Sequence, residues 1–226
     1  IVEELSRSLR EELDYENEGR NAEKIAKQFI NDSKVHIPKV YWEYSTKKIL
    51  TMEFIDGVKL NEIEKLQQDG YDTKVLGEKI VNAIFHQILI DGFFHGDPHP
   101  GNIVALPGQV IAFMDFGMVG RITPEMRSHI ASFVIALMRK NTSEVVKAIT
   151  NMGLVPDEVN VKLLHSDVDK LREKYLDVPF SQMSVGTAVN ELFSVAYRHK
   201  ITIPTDLTIL GKTLLTLEGT VEKLNH

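Results

Sequence analysis

Asp97, Asn102 and Asp115 are the residues whose types and order point to chemistry. They sit in His95-Gly96-Asp97-Pro98-His99-Pro100-Gly101-Asn102 and in Asp115-Phe116-Gly117. Phosphoryl transfer from a Mg²⁺-bound nucleotide uses one Asp to orient or deprotonate the attacking hydroxyl. An Asn five residues on holds one metal ion, and a second Asp holds the other. Mg²⁺ takes oxygen ligands and shares them with substrate phosphates, so Asn102 and Asp115 are candidate metal ligands. Asp97 is the candidate catalytic residue. An isolated Asp-Phe-Gly also occurs as an ordinary turn. The ordered set, with a hairpin between its halves, is a much more specific signal.

The histidines read differently. His95 and His99 flank Asp97 at alternating positions, yet no third ligand lies nearby in sequence, so a transition-metal site is the weaker reading. His95 is expected to bond main-chain groups within the loop, and His99 to shape the cleft.

The elements that must position these groups are visible as pattern. Ile103–Leu106 and Val110–Met114 are short apolar runs around the turn residues Pro107-Gly108-Gln109, which predicts a hairpin ending on Asp115. Leu76, Ile80, Ala83, Ile84 and Ile88 recur at helical spacing before Asp91-Gly92 breaks the pattern. After Asp-Phe-Gly, Thr123-Pro124-Glu125 is a helix start with Thr as N-cap and Pro at the first position. Ile130, Phe133, Val134, Leu137 and Met138 are expected to form one apolar face of that helix. So short a link leaves no room for a long segment that could cradle a peptide substrate.

With those residues in hand, the chain resembles the UbiB family of atypical kinase-like proteins. Small-molecule kinases of the choline and aminoglycoside type share a His-Gly-Asp…Asn loop. The wording Gly96-Asp97-Pro98-His99-Pro100-Gly101-Asn102 and the segment Glu11-Glu12-Leu13-Asp14-Tyr15-Glu16-Asn17-Glu18 favour UbiB. The resemblance implies an αC-like helix carrying a Glu-x-Asp motif, matched by Glu12 and Asp14. It also implies a Glu, matched by Glu18, that pairs with a phosphate-contacting Lys. Read without the resemblance, residues 3–27 are a charged, solvated helix. The resemblance makes Val40–Tyr44 and Ile49–Phe54 two strands, and Glu53-Phe54-Ile55-Asp56-Gly57 the hinge where Glu53 and Ile55 would meet adenine. Gly96 stands where many protein kinases carry an Arg that meets an activation-loop phosphate. A Lys-x-Gly-Gln motif, an Ala-rich nucleotide loop and the strand bearing the Lys are expected upstream of residue 1, so the chain reads as an excerpt. Ile203–Gly219 resembles the family's late helix.

Composition sets outer bounds. With 226 residues, 43% of them hydrophobic, the chain can bury a proper core. The absence of Cys excludes disulfides and thiol catalysis, and is compatible with a reducing cytoplasm. No apolar run approaches the roughly 20 residues of a spanning helix. A net charge of −6, without a basic patch interleaved with aromatics, argues against nucleic-acid binding. Residues 143–165 read as two short helices, residues 166–176 as a charged helix, and Phe193, Ala196 and Tyr197 as the start of an apolar face.

The expected fold class is α+β, a protein-kinase-like fold. Residues 1–55 would be a partial N-lobe with an αC-like helix and two strands, and residues 56–226 a mostly helical C-lobe. The implied cofactors are ATP and Mg²⁺. The implied partners are nucleotide, a small or lipid-like acceptor such as a quinone precursor, and a membrane surface for the full-length protein. Rival readings are a choline- or aminoglycoside-type small-molecule kinase and a non-catalytic nucleotide-sensing module.

Overall fold

The computed structural model describes residues 6–7, 9–10, 13–153 and 155–226, apart from the side chain of Phe180. The chain divides into two units, Ile1–Val119 with Gly219–His226, and Gly120–Glu218.

In the first unit, helix α1 (Tyr15–Gln28) starts where Asp14 Oδ1 accepts the Glu16 N–H at 3.1 Å. Its inward stripe carries Ala22 and Ile25, both fully buried. Four short strands make one sheet: β1 (Val35–His36), β2 (Val58–Lys59), β4 (Ile103–Leu106) and β5 (Val110–Phe113), in the order β1-β5-β4-β2. The expected hairpin is the centre of this sheet. β4 and β5 pair antiparallel from Ile103↔Phe113 to Leu106↔Val110, and Ile103, Ala105, Ile111 and Phe113 are fully buried. Between β2 and β4 in sequence come helices α2 (Ile63–Gln68) and α3 (Thr73–His86) and strand β3 (Phe93–His95). Asp72 caps α3 by accepting the Lys74 and Val75 amides, and the predicted stripe Leu76, Ile80 and Ile84 is fully buried. The helix ends in a wider π-type turn, Gln87–Asp91, closed by Gly92 in the left-handed conformation at φ 65°.

The two expected strands 40–44 and 49–54 pair less regularly than a ladder. They meet antiparallel at the isolated bridges Val40↔Met52 and Thr46↔Ile49, while Trp42–Tyr44 winds into a 3-10 turn. The reason is local: Ser45 Oγ donates to Tyr41 O at 2.8 Å and accepts the Thr51 N–H at 2.9 Å. A side-chain hydroxyl thereby takes bonds that a continuous ladder would make through the backbone.

The second unit is helical: α4 (Pro124–Met138), α5 (Thr142–Met152), α6 (Val161–Tyr175), α7 (Val185–Arg198) and the larger part of α8 (Thr205–Leu224). Thr123 accepts the Met126 amide at 3.2 Å and Pro124 opens α4, as the capping pattern predicts. The buried face of α4 is narrower than its periodicity suggests. Phe133 and Ala136 are covered, whereas Val134 is 42% and Met138 63% exposed. Residues 143–165 do hold helix on both sides of the expected break, α5 and the start of α6, but the second does not end at 165. α6 begins at Val161, where Asn160 accepts the Leu163 amide, and runs unbroken through the segment expected as a separate charged helix. On α7, Ala196 is buried but Tyr197 is exposed, because Leu192, Val195 and Ala196 set the inward line.

Two glycines of the first unit predict opposite outcomes. A Cβ on Gly57 would lie 2.4 Å from the Ala105 carbonyl oxygen, because β2 draws the chain onto β4. A Cβ on Gly77, inside α3, would meet only Leu224 Cδ1, at 3.7 Å. Gly57→Ala should lower the urea-unfolding free energy by about 1–3 kcal/mol. Gly77→Ala should raise it by about 0.5–1 kcal/mol through helix propensity and a less flexible unfolded chain. Equal effects in the same assay would mean that the β2–β4 approach is not tight.

Candidate active site

The loop 95–102 is tied mostly to itself. Asp97 N–H donates to His95 Nδ1 at 3.1 Å. The His99 amide reaches Asp97 O at 2.9 Å and the Asn102 amide reaches His99 O at 2.9 Å. Asn102 Nδ2 donates to Asp97 O at 3.1 Å, which leaves its amide oxygen as the remaining polar atom of that side chain. His99 Nδ1 accepts the Gly101 amide at 3.0 Å, capping the 3-10 turn Pro100–Asn102, and its Nε2 lies 3.8 Å from Asp97 Oδ2. His99, expected to shape the cleft, shapes the loop.

The hairpin delivers the second carboxylate. Met114 N–H donates to Asn102 O at 2.7 Å, extending the β4–β5 register by one bond, and Asp115 follows directly. Asp115 adopts φ 55°, a left-handed conformation costly for a non-glycine residue but favoured by short polar side chains. Its Oδ1 accepts the Gly117 amide at 3.2 Å, so the turn is held from within. Asp115 is exposed, Asp97 half-buried and Asn102 buried.

His95 joins the two halves. It has no exposed surface, and its Nε2 lies 2.8 Å from Met114 O. Because Nδ1 accepts from Asp97, the Nε2 nitrogen must carry the proton and donate to Met114. Phe113 and Phe116 flank the ring, with centroids 5.6 and 5.5 Å away. Burial pushes the His95 pKa down despite the Met114 carbonyl and the nearby Asp115 and Asp97 charges. His95 is the scaffold group the sequence suggested.

α1 grips the Asp-Phe-Gly turn from its other side. Glu18 Oε1 accepts the Phe116 amide at 3.3 Å, and Asn21 Nδ2 donates to Phe116 O at 2.9 Å. Burial and the neighbouring Asp115 charge raise the Glu18 pKa, against the Phe116 hydrogen bond. Glu18 therefore holds the Asp-Phe-Gly turn. Asp14 serves as the N-cap of α1, and Glu12 lies outside the described residues. At the expected hinge, Glu53 N–H is taken by Lys39 O at 2.8 Å, and its carboxylate lies 2.5 Å from His36 Nε2. Glu53 and Ile55 line a cleft of about 290 Å³ with His36, Leu106 and Val110.

Several supports were missed in the sequence. Gln87 Oε1 accepts the His95 amide at 2.8 Å, Gln28 Nε2 donates to Phe93 O at 2.9 Å, and Thr220 Oγ1 donates to Pro98 O at 2.8 Å. Gln87 carries the one legible signal: a polar residue inside the apolar run Ala83–Ile90, placed inward by the π turn. Among the described residues, no group of three or more His, Cys, Asp or Glu could hold a metal ion. A Mg²⁺ site does not require one, since that ion keeps waters and phosphate oxygens among its ligands.

Comparison with known proteins gives the family. The ABC1 atypical kinase-like domain matches residues 1–149 and the UbiB helical domain residues 168–226. The chain belongs to the UbiB family of ABC1 atypical kinase-like proteins. Among its relatives are a probable protein kinase UbiB of Marinobacter nauticus, 33% identical over 97% of this chain, and an uncharacterised Synechocystis protein, 33% identical over 97% of it. The chain spans 41% and 38% of those two proteins, respectively. Rv3197 of Mycobacterium tuberculosis, solved with erythromycin, superposes with a TM-score of 0.65 at 21% identity, covering 99% of this chain and 57% of its own. The kinase-like α+β fold of the UbiB family is therefore the fold of this chain.

The His95 bonds set a pH dependence. Its folded-state pKa lies below the ordinary value near 6.5, so below that pH the unfolded chain binds the extra proton and the folded one resists it. Stability is fully present above about pH 6.5 and should decline on acidification by up to about 1.4 kcal/mol per pH unit. His95→Gln should lower stability at pH 8 and flatten its dependence between pH 6.5 and 5. Parallel urea-stability curves for the two proteins across that range would refute a buried neutral His95.

Proposed function

We propose that this chain carries the Mg-ATP site of a UbiB-type atypical kinase or ATPase. The parent protein would support ubiquinone or related isoprenoid-quinone lipid metabolism. The observation that carries the reading is the gathering of Asp97, Asn102 and Asp115 at one end of the hairpin, through His95 and the Met114–Asn102 bond. In this reading residues 1–55 form part of an N-lobe and residues 56–226 form the C-lobe.

The donor set fits a hard cation. Asn102 has its Nδ2 committed and an oxygen left, Asp115 is an exposed carboxylate, and Glu18 feels the Asp115 charge as repulsion that a cation would relieve. Asn102 and Asp115 would hold Mg²⁺, which when bound with nucleotide neutralises charge on the phosphates. Asp97 aligns the nucleophile and takes its proton at the carboxylate. The loop bonds fix that carboxylate's base, which matters because phosphoryl transfer is mostly positioning and electrostatics. Glu18 and Asn21 hold the turn bearing Asp115. Glu12 and Asp14 would approach the nucleotide, with Asp14 leaving its cap to do so. At the hinge, the Ile55 backbone and the Glu53 carbonyl would meet adenine, since the Glu53 amide is already taken.

The quinone link draws on the relatives named UbiB. A lipid-like acceptor and a membrane surface follow from the same source. No described helix is long and apolar enough to cross a membrane, so contact with the bilayer would be peripheral for this part of the protein.

The test is Mg-dependent ATP turnover by the full-length protein, with and without anionic vesicles and a phenolic quinone-precursor mimic. Asp115→Asn should abolish Mg-dependent nucleotide affinity; unchanged Mg-ADP binding would remove the metal assignment. Asp97→Asn should spare binding and cut turnover by about 10²–10⁴-fold. Equal loss of both in a folded variant would overturn its role. Tight nucleotide binding with no turnover under any condition would point to a sensing module instead.

A further inference from the structure

The helical unit contains an apolar cavity that phosphoryl chemistry does not use. It has a volume of about 170 Å³ and is walled by Val145, Val168, Leu171 and Leu192 on three helices. A second, more apolar chamber of about 80 Å³ adjoins it, reaching Phe133 and Leu210, and the two share Leu137, Met138, Met183 and Ala188. Protein interiors leave few voids larger than a water molecule, and an apolar void costs stability in proportion to its volume. Two chambers with a common wall suit a flexible, elongated apolar chain. The wall includes two methionines, Met138 among the more exposed apolar side chains of the unit, and unbranched thioethers can yield to admit a guest.

One side of the larger chamber is polar. Arg172 donates from one terminal nitrogen to Lys140 O at 3.1 Å and places the other 3.0 Å from Asp169. Lys140, at φ 52°, donates from Nζ to Leu176 O at 2.5 Å. Asp169 also accepts from Thr142 Oγ1 at 2.8 Å. The Arg172 Nε is buried and has no hydrogen-bond partner. Two cations against one carboxylate leave a single net positive charge beside an apolar chamber, and an N–H without an acceptor.

We infer that this cavity binds a medium-chain fatty acid, its tail in the joined chambers and its carboxylate on Arg172. A guanidinium fork matches a planar carboxylate in two hydrogen bonds, and one net charge matches a monoanion. The larger chamber compares with the engineered cavity of about 150 Å³ that holds benzene. Adding the smaller chamber sets the chain at about eight to ten carbons on that scale. The inference is independent of the nucleotide site.

The probes are decanoate, decan-1-ol and hexanoate, titrated calorimetrically into the 226-residue chain, with Tm followed alongside. Decanoate should bind at least tenfold tighter than decan-1-ol and than hexanoate. Arg172→Gln should erase the preference for decanoate over decan-1-ol while retaining alcohol binding. Ala188→Phe, at the shared wall, should exclude both ligands. Equal affinity of the wild-type chain for acid and alcohol would overturn the proposal, as would no decanoate binding. So would a concentration-dependent dimer abolished by Met138→Asp in a chain that takes up no decanoate, because the apolar opening would then belong to a second copy.

Discussion

Both ring nitrogens of His95 are bonded to main-chain groups, one in the loop before the hairpin and one at its end. That double attachment couples the Asp97 loop to the Asp115 loop more directly than any contact between the carboxylates themselves. A buried imidazole bonded in this way has one stable tautomer, and adding a proton would set a donor against the Asp97 amide. Its worth lies less in the two bonds formed than in the cost of leaving a buried amide and carbonyl unpaired, of order 1–3 kcal/mol each. The π turn exists in the same service, since it places Gln87 where its side chain receives the His95 amide. Phe113 and Phe116 keep water from the ring.

Around that tie the site accumulates unfavourable terms. Asp115 sits in a left-handed backbone conformation, and Glu18 is held partly buried beside it with its pKa raised. A chain optimised for stability alone would neutralise one of these carboxylates. Retaining both is the pattern of a site that exchanges stability for function. α1 bears the cost by spending Glu18 and Asn21 on the two main-chain groups of Phe116.

The helical unit follows a different logic. Its helix starts come from short capping residues, Thr123, Asn141, Asn160 and Ser184, each accepting an amide two or three residues into the helix. Its interior is less completely filled, with the cavity opening where α4 leaves Val134 and Met138 uncovered. Of these caps only Thr123 was read from the sequence, where it located the start of α4; Asn160 went unread and α6 was expected in two pieces, while periodicity overstated how much of α4 and α7 is buried. Periodicity reports which residues share a face, whereas the width of the buried stripe depends on which neighbour arrives.

The kinase-like order of elements was legible from local signals: the apolar stripe before Asp91-Gly92, the two runs around Pro107-Gly108-Gln109, and the Asp97-Asn102-Asp115 spacing. Each rests on interactions within a few residues, so sequence alone determined them. The parallel pairing of β1 with β5, and the grip of α1 on Phe116 across nearly a hundred residues, left no local trace. Asn21, Gln28 and Thr220 look like ordinary helix polar residues until the backbone carbonyl that each meets is placed beside it. Ser45 turned a predicted strand into a 3-10 turn, a choice between side-chain and main-chain partners that only the packed chain could make. Sequence determined which residues could do the chemistry. Tertiary structure decided which buried polar groups hold them in place, because a hydrogen bond between distant segments is specified by packing and not by spacing along the chain.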